Sequence, residues 1–261
     1  MVPAGHMTDP WLRVHRPRPD ASRQLVCFPH AGGSAAVYRS WADELPPTIE
    51  MAVVQYPGRH DRYAEPLPTD LPALAADIVP AVLARAHRRT AFFGHSMGAT
   101  VAFEVARRMT AVPDRLFVSA RKAPSAAAGP VPPVSQRTTP DDDEQLRHEL
   151  RRIGGASPAW LDDDELWALV LPVLRNDSRM SRAYHYRQGP PLTCPITAIV
   201  GDADQAVGPA DAARWRMHTV GGFDLRVLPG DHFYYRHSLP PLIQLLSSWG
   251  SRASQPTGKV R

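Results

Sequence analysis

Lysine is nearly missing from this chain: Lys122 and Lys259 stand alone, and nearly all of the 30 basic residues are arginine. Cysteine is as scarce. Cys27 sits inside an apolar run and Cys194 stands next to Pro195, with no C-x-x-C pair, which excludes a disulfide framework and a thiolate metal site. Nor does any run approach the roughly 18 consecutive apolar residues of a membrane span, and no secretory signal opens the chain. A soluble, cytoplasmic protein that does not engage a membrane is expected. No basic run with interleaved aromatics occurs, which argues against DNA or RNA as a partner. The formal charge of +4 leaves a long-range preference for acidic partners. Abundant Ala and Arg with 28 prolines read as the product of a GC-rich genome.

What is present is an alternation. The 261 residues suffice for one sizeable core, so one domain with at most a subdomain is expected. Short apolar runs closed by turn residues predict strands at 24–28, 51–56, 90–93, 115–119, 195–200 and 224–228. Helical spacing fills the intervals 34–45, 71–87, 97–109, 209–218 and 239–249. Such alternation predicts an α/β fold, a mainly parallel central sheet flanked by helices. The core is expected over 23–123 and 189–250. The opening MVPAGHM reads as a vector scar before a start at Met7, and 1–22 is set aside as tag remnant and leader. Residues 251–261 read as a frayed tail. Between 124 and 188 a Pro-rich entry leads into DDDEQLRHEL and LDDDELWALVLPVLRND, whose acidic starts favour helices through the backbone dipole. Two or three plain surface helices are the alternative, but so long an excursion predicts an inserted helical lid.

One short segment carries chemistry. In AFFGHSMGATVAF, a strand-like run meets a helical one across Gly94-His95-Ser96-Met97-Gly98. Gly-x-Ser-x-Gly at a strand-to-helix junction forms a sharp turn that exposes the serine hydroxyl while the helix N-terminus faces developing negative charge. Serine needs a base and an orienting carboxylate, and in this class of turn they follow in the order Ser, Asp, His. His232, in LPGDHFYY, is expected to be the base and Asp204, in GDADQAV, the carboxylate. Asp202 is the rival carboxylate, better suited to bracing its loop. His237, Asp231 and His95 are expected to be, in turn, a surface residue, a loop residue and a neighbour of the nucleophile. FPHAGGS supplies a Gly-rich turn, so the oxyanion hole is assigned to the N–H groups of Ala31 and Met97. A phosphate-binding loop is the competing use of these glycines, but neither G-K-[ST] nor G-x-G-x-x-G is present.

Taken together, FPHAGGS, VVQYPGRHDR, FFGHSMGA, GDADQAV and LPGDHFYY, in this order over 24–249, resemble the type II thioesterases. These are the stand-alone α/β-hydrolases that accompany polyketide synthases and nonribosomal peptide synthetases. The resemblance implies an α/β-hydrolase fold and hydrolysis of acyl thioesters on the phosphopantetheine arm of an acyl or peptidyl carrier protein. It implies Ser96 as nucleophile, His232 as base and Asp204 as acid, with no metal or bound cofactor, and a monomer is expected. A general carboxylesterase, an acyltransferase and a non-catalytic docking protein are the alternatives. Within the lid, Trp160, Trp167 and Tyr184 could each line the acyl chamber or pack the lid helices.

Overall fold

The computed structural model describes residues 9–127, 140–154 and 159–250. The first eight residues, most of the Pro-rich entry to the lid and the tail expected over 251–261 lie outside the described residues. Seven strands form one sheet: β1 (Leu12–Arg13), β2 (Arg23–Phe28), β3 (Ile49–Val54), β4 (Arg89–His95), β5 (Arg115–Ser119), β6 (Ile196–Gly201) and β7 (Phe223–Leu228). Their order is β1-β3-β2-β4-β5-β6-β7, parallel throughout except for β1, which runs antiparallel to β3 with Leu12 opposite Val54. The expected parallel sheet is therefore present, with all six predicted strands in it.

The described part of the leader joins the fold. There β1 extends the sheet, and the stretch after it is tied to the body. The Arg18 side chain donates to the carbonyls of Ala42, Pro46 and Ile49, and the Gln55 N–H donates to the Trp11 carbonyl at 2.8 Å. A two-residue strand is too short to leave an alternation in the sequence, which is why it was not foreseen.

The helices are α1 (Trp41–Glu44), α2 (Leu71–Ala84), α3 (Met97–Arg108), α4 (Pro140–Ile153), α5 (Ala159–Asp162), α6 (Asp164–Ala183), α7 (Pro209–Ala213) and α8 (Leu239–Ser248). Two predicted helices are shorter than expected. The stretch 34–45 is a 3₁₀ turn, Ala35–Tyr38, followed by α1, and α7 passes into a 3₁₀ turn, Arg214–His218.

Local chemistry sets the longer helices. Asp70 caps α2 by accepting the Ala73 N–H at 2.7 Å, and Pro72 in the first turn sacrifices an N–H that has no helical acceptor. The buried residues Leu71, Leu74, Ala75, Ile78, Ala81 and Val82 recur at helical spacing and turn one face of α2 inward. By contrast α3 is buried from Met97 to Ala106, as befits a helix wedged between the sheet and α2.

Strands buried on both faces read as continuous apolar runs. Alternate residues go to opposite sides: Val26, Phe28, Phe92 and Val118 pack towards α2 and α3, while Leu25, Cys27, Phe93 and Phe117 pack towards Trp41 and α8. The 124–188 excursion contains α4, α5 and α6. Asp163 caps α6 by accepting from the N–H groups of Glu165 and Leu166, the role expected of the acidic start. Leu146, Leu161, Trp167 and Leu174 form a small core within this layer. Trp167 is thus a packing residue of this helical layer. The Trp160 side chain lies outside the described residues.

Candidate active site

The site is built at the C-terminal ends of the parallel strands, where open α/β sheets place their ligands. β4 ends at His95 and α3 begins at Met97, so Ser96 alone makes the turn, with φ 54° and ψ −120°. A non-glycine residue held there is strained by about 1–3 kcal/mol, which the surrounding packing must offset. The flanking glycines are required by closeness. A Cβ on Gly98 would lie 2.0 Å from the Phe28 carbonyl oxygen, and one on Gly94 would lie 2.3 Å from the Gly98 carbonyl oxygen. The Ser96 N–H donates to the Ser119 carbonyl at 2.8 Å and anchors the turn to β5.

Asp204 follows β6 and His232 follows β7, and the two loops are stitched together because their strands are neighbours. The Asp202 N–H donates to the Leu228 carbonyl and the Ala203 N–H to the Gly230 carbonyl, both at 2.9 Å. His232 Nδ1 lies 2.9 Å from Asp204 Oδ2, and its Nε2 lies 3.2 Å from Ser96 Oγ. Ser96, His232 and Asp204 therefore stand in one hydrogen-bonded line. The other oxygen of Asp204 accepts the N–H groups of Ala206 at 2.8 Å and Val207 at 3.1 Å. Burial alone would raise the Asp204 carboxyl, but the hydrogen bond to His232, its charge and the two N–H donors outweigh it and hold the group below the usual carboxylate range. It is ionised and oriented at neutral pH.

The rivals fall elsewhere. Asp202 accepts the Gly230 N–H at 2.9 Å and braces its loop, and Asp231 accepts the Phe233 N–H at 2.7 Å. His237 is exposed just before α8. His95 is wholly buried under the turn, and burial drives its imidazole well below its ordinary pKa, so it is neutral. Its Nδ1 meets Ser119 Oγ at 2.9 Å, and that hydroxyl meets the Tyr234 hydroxyl at 2.6 Å. This chain ties the serine turn to the loop that carries His232.

Ala31 and Met97 line the same cavity of about 180 Å³ as Ser96 and His232. Met97 opens α3, so its N–H has no helical acceptor. Neither N–H has a hydrogen-bond acceptor among the described residues. A second cavity of about 290 Å³ runs from Ser96 past Ala120, Arg121 and Val207 to Tyr184. Tyr184 both borders this space and fastens the end of α6, donating to Glu104 on α3 at 2.6 Å. A third, of about 380 Å³, lies beyond Ala31 among His30, Val37, Leu161, Leu174 and Tyr235.

Three residues of the site were not foreseen. Arg121 borders the two cavities that meet at Ser96 and donates to Thr100 Oγ1 at 3.0 Å. Arg59 and Asp177 pair behind the Ala31 turn. Arg59 lies within VVQYPGRHDR, but nothing local to it names its partner.

Residues 23–249 match the family model described as "Thioesterase domain". The chain belongs to the thioesterase family. Thioesterase PikA5 of Streptomyces venezuelae is 44% identical over 229 residues, 86% of this chain and 79% of that protein. The gramicidin S biosynthesis protein GrsT of Aneurinibacillus migulanus is 35% identical over 230 residues, 87% of this chain and 88% of its own length. Among solved structures, the type II thioesterase BorB from the borrelidin biosynthetic cluster superposes with a TM-score of 0.80 at 42% identity, covering 92% of this chain and 97% of that one. This thioesterase thus stands with the type II members of polyketide and nonribosomal peptide pathways, and its fold is the α/β-hydrolase fold.

Proposed function

We propose that this thioesterase hydrolyses acyl thioesters carried on the phosphopantetheine arm of an acyl or peptidyl carrier protein, removing stalled or aberrant acyl groups. The observation that carries the reading is the line from Ser96 Oγ to His232 Nε2 and from His232 Nδ1 to Asp204, at 3.2 and 2.9 Å. In acylation, Ser96 Oγ bonds to the thioester carbonyl carbon while its proton passes to His232. The oxyanion is met by the N–H groups of Ala31 and Met97. The carbon–sulfur bond then breaks, and the carrier thiol leaves with the proton held on His232. In deacylation, water gives its proton to His232 and attacks the acyl-serine carbonyl; the free acid departs and Ser96 recovers its proton. Asp204 holds the imidazole in the tautomer that both halves need and stabilises its charged form.

The reaction calls for neither metal nor cofactor, since the pantetheine belongs to the carrier. The similarity to proteins named for gramicidin S and borrelidin biosynthesis supports a carrier-bound substrate. The net charge of +4 suits a carrier with an acidic surface. A monomer acting in the cytoplasm, beside the synthases whose carriers it clears, completes the reading.

Intact-mass spectrometry of a carrier protein loaded with acetyl, propionyl or longer acyl groups tests it. Wild type should return the free pantetheine thiol and Ser96→Ala should not. A carrier that stays loaded while simple oxygen esters are cleaved would leave a general carboxylesterase instead.

A further inference from the structure

The VVQYPGRHDR segment takes no part in the chemistry above, yet it lies directly beneath the turn that supplies the Ala31 N–H. Gln55 Oε1 accepts the Ala35 N–H at 2.9 Å, and the Tyr56 hydroxyl donates to the Pro29 carbonyl at 3.2 Å. From the other side α6 presses down: Leu174 sits where a Cβ on Gly32 would be, 2.3 Å from Leu174 Cδ2, and Gly32 adopts φ +76°. One turn further along α6, Asp177 accepts the Gly32 N–H at 2.8 Å. Asp177 is wholly buried, and its charge is matched by Arg59 through two bonds of 2.5 and 2.9 Å.

We infer that the buried Arg59–Asp177 pair positions the oxyanion hole, with Asp177 fixing the Ala31–Gly32 peptide through the Gly32 N–H and so setting the direction of the neighbouring Ala31 N–H. A buried ion pair gains little stability over an apolar pair of similar volume, because desolvation cancels most of the attraction. What two apolar residues cannot do is accept the Gly32 N–H. The pair also pins the C-terminal half of α6 to the turn. Arg59 and Asp177 are positioning residues here, acting through Gly32. This inference rests on the proposed role of the Ala31 N–H.

Two double variants separate positioning from structure, since neither keeps a buried charge: Arg59→Met with Asp177→Asn, which retains an acceptor for Gly32, and Arg59→Met with Asp177→Leu, which does not. Steady-state kinetics are measured on an acyl N-acetylcysteamine thioester and, in parallel, on p-nitrophenyl acetate, with thermal melts of both proteins. Removing one oxyanion donor costs ~10²–10³ in kcat, so displacing it should lower kcat about tenfold or more in the Leu variant relative to the Asn variant. KM should stay within about threefold, because the interaction exists only in the transition state. Equal kcat values in the two variants overturn the inference, whatever the melting temperatures show. If a double variant does not fold, Asp177→Asn and Asp177→Leu alone are compared, normalised to folded protein: both take the countercharge from Arg59, and a positioning role predicts that kcat separates while KM does not; equal kcat values again overturn the inference. Wild type inactive on the thioester but active on the ester would sink the proposed function while leaving this comparison intact.

Discussion

His232 Nε2 lies 3.2 Å from Ser96 Oγ although 136 residues separate them in the chain. The contact exists because β4 and β7 end on the same edge of one parallel sheet, and the loops beyond them lean together over the serine turn. Asp204 reaches His232 from the strand between, and each of the three depends on the others' placement.

Replacing Asp204 by Asn keeps the shape and removes the charge. The imidazole then loses its preference for the productive tautomer, and kcat should fall by ~10³–10⁴. Ser96→Ala should be close to inactive and should not be labelled by a fluorophosphonate that labels wild type. Stopped-assay kinetics on a short acyl thioester check the first, and intact mass checks the second. An Asp204→Asn variant within tenfold of wild type would remove Asp204 from the relay.

Acid should weaken the fold through histidines that the fold holds neutral. Burial, with the nearby charges of His232, Arg236 and Arg59, pushes His30 down to about 3, and burial beside Arg107 pushes His218 down to about 4, from an ordinary 6.5. Below 6.5 the unfolded chain takes protons that the folded one refuses, so stability is lost as pH falls from 6.5 towards 3–4. Each such histidine weakens folding by up to about tenfold per pH unit. Urea melts at pH 7, 6, 5 and 4 should show this slope, and His218→Gln should flatten it by about one proton above pH 4. An unchanged slope in that variant would assign the acid sensitivity elsewhere.

Two glycines should respond very differently to the same methyl group. On Gly98 it would meet the Phe28 carbonyl at 2.0 Å, whereas beside Gly208 nothing lies within 4 Å. Gly98→Ala should push strand and helix apart, costing about 2 kcal/mol or more and most of the activity. Gly208→Ala should melt within about 0.5 kcal/mol of wild type. Thermal melts of the pair decide it; equal melting temperatures would mean that the serine turn relaxes freely.

Neither thiol should react in the native protein. Cys27 and Cys194 are buried, and burial pushes the second up to about 11 and the first further still, so little thiolate forms at neutral pH. Ellman's reagent should release almost nothing from native protein and two equivalents after denaturation. Fast native labelling would mean that the sheet around Cys27 or the loop at Cys194 opens often.

Local chemistry made most of the architecture legible in the sequence. Runs buried on both faces, turn glycines and acidic helix starts act over a few residues, so six strands, the serine turn and the acidic cap of α6 could be read directly, and so could the placement of His232 and Asp204 after strands. The strand β1 could not, because two residues carry no period and its antiparallel pairing with β3 is made only when the sheet assembles. The interval 34–45 reads as one helix but is a 3₁₀ turn followed by the short helix α1. Trp167 packs among α4, α5 and α6 while Tyr184, just past the end of α6, borders the cavity at Ser96, a division made only when these segments come together. Above all, nothing near Arg59 announces Asp177, 118 residues away, nor that both would close on the Gly32 N–H. The residues that do the proposed chemistry were specified by sequence, since reactive groups must sit at turns whose local rules are short-range; the residues that aim them were decided by tertiary packing, since a buried charge acquires its partner only when distant segments exclude water together.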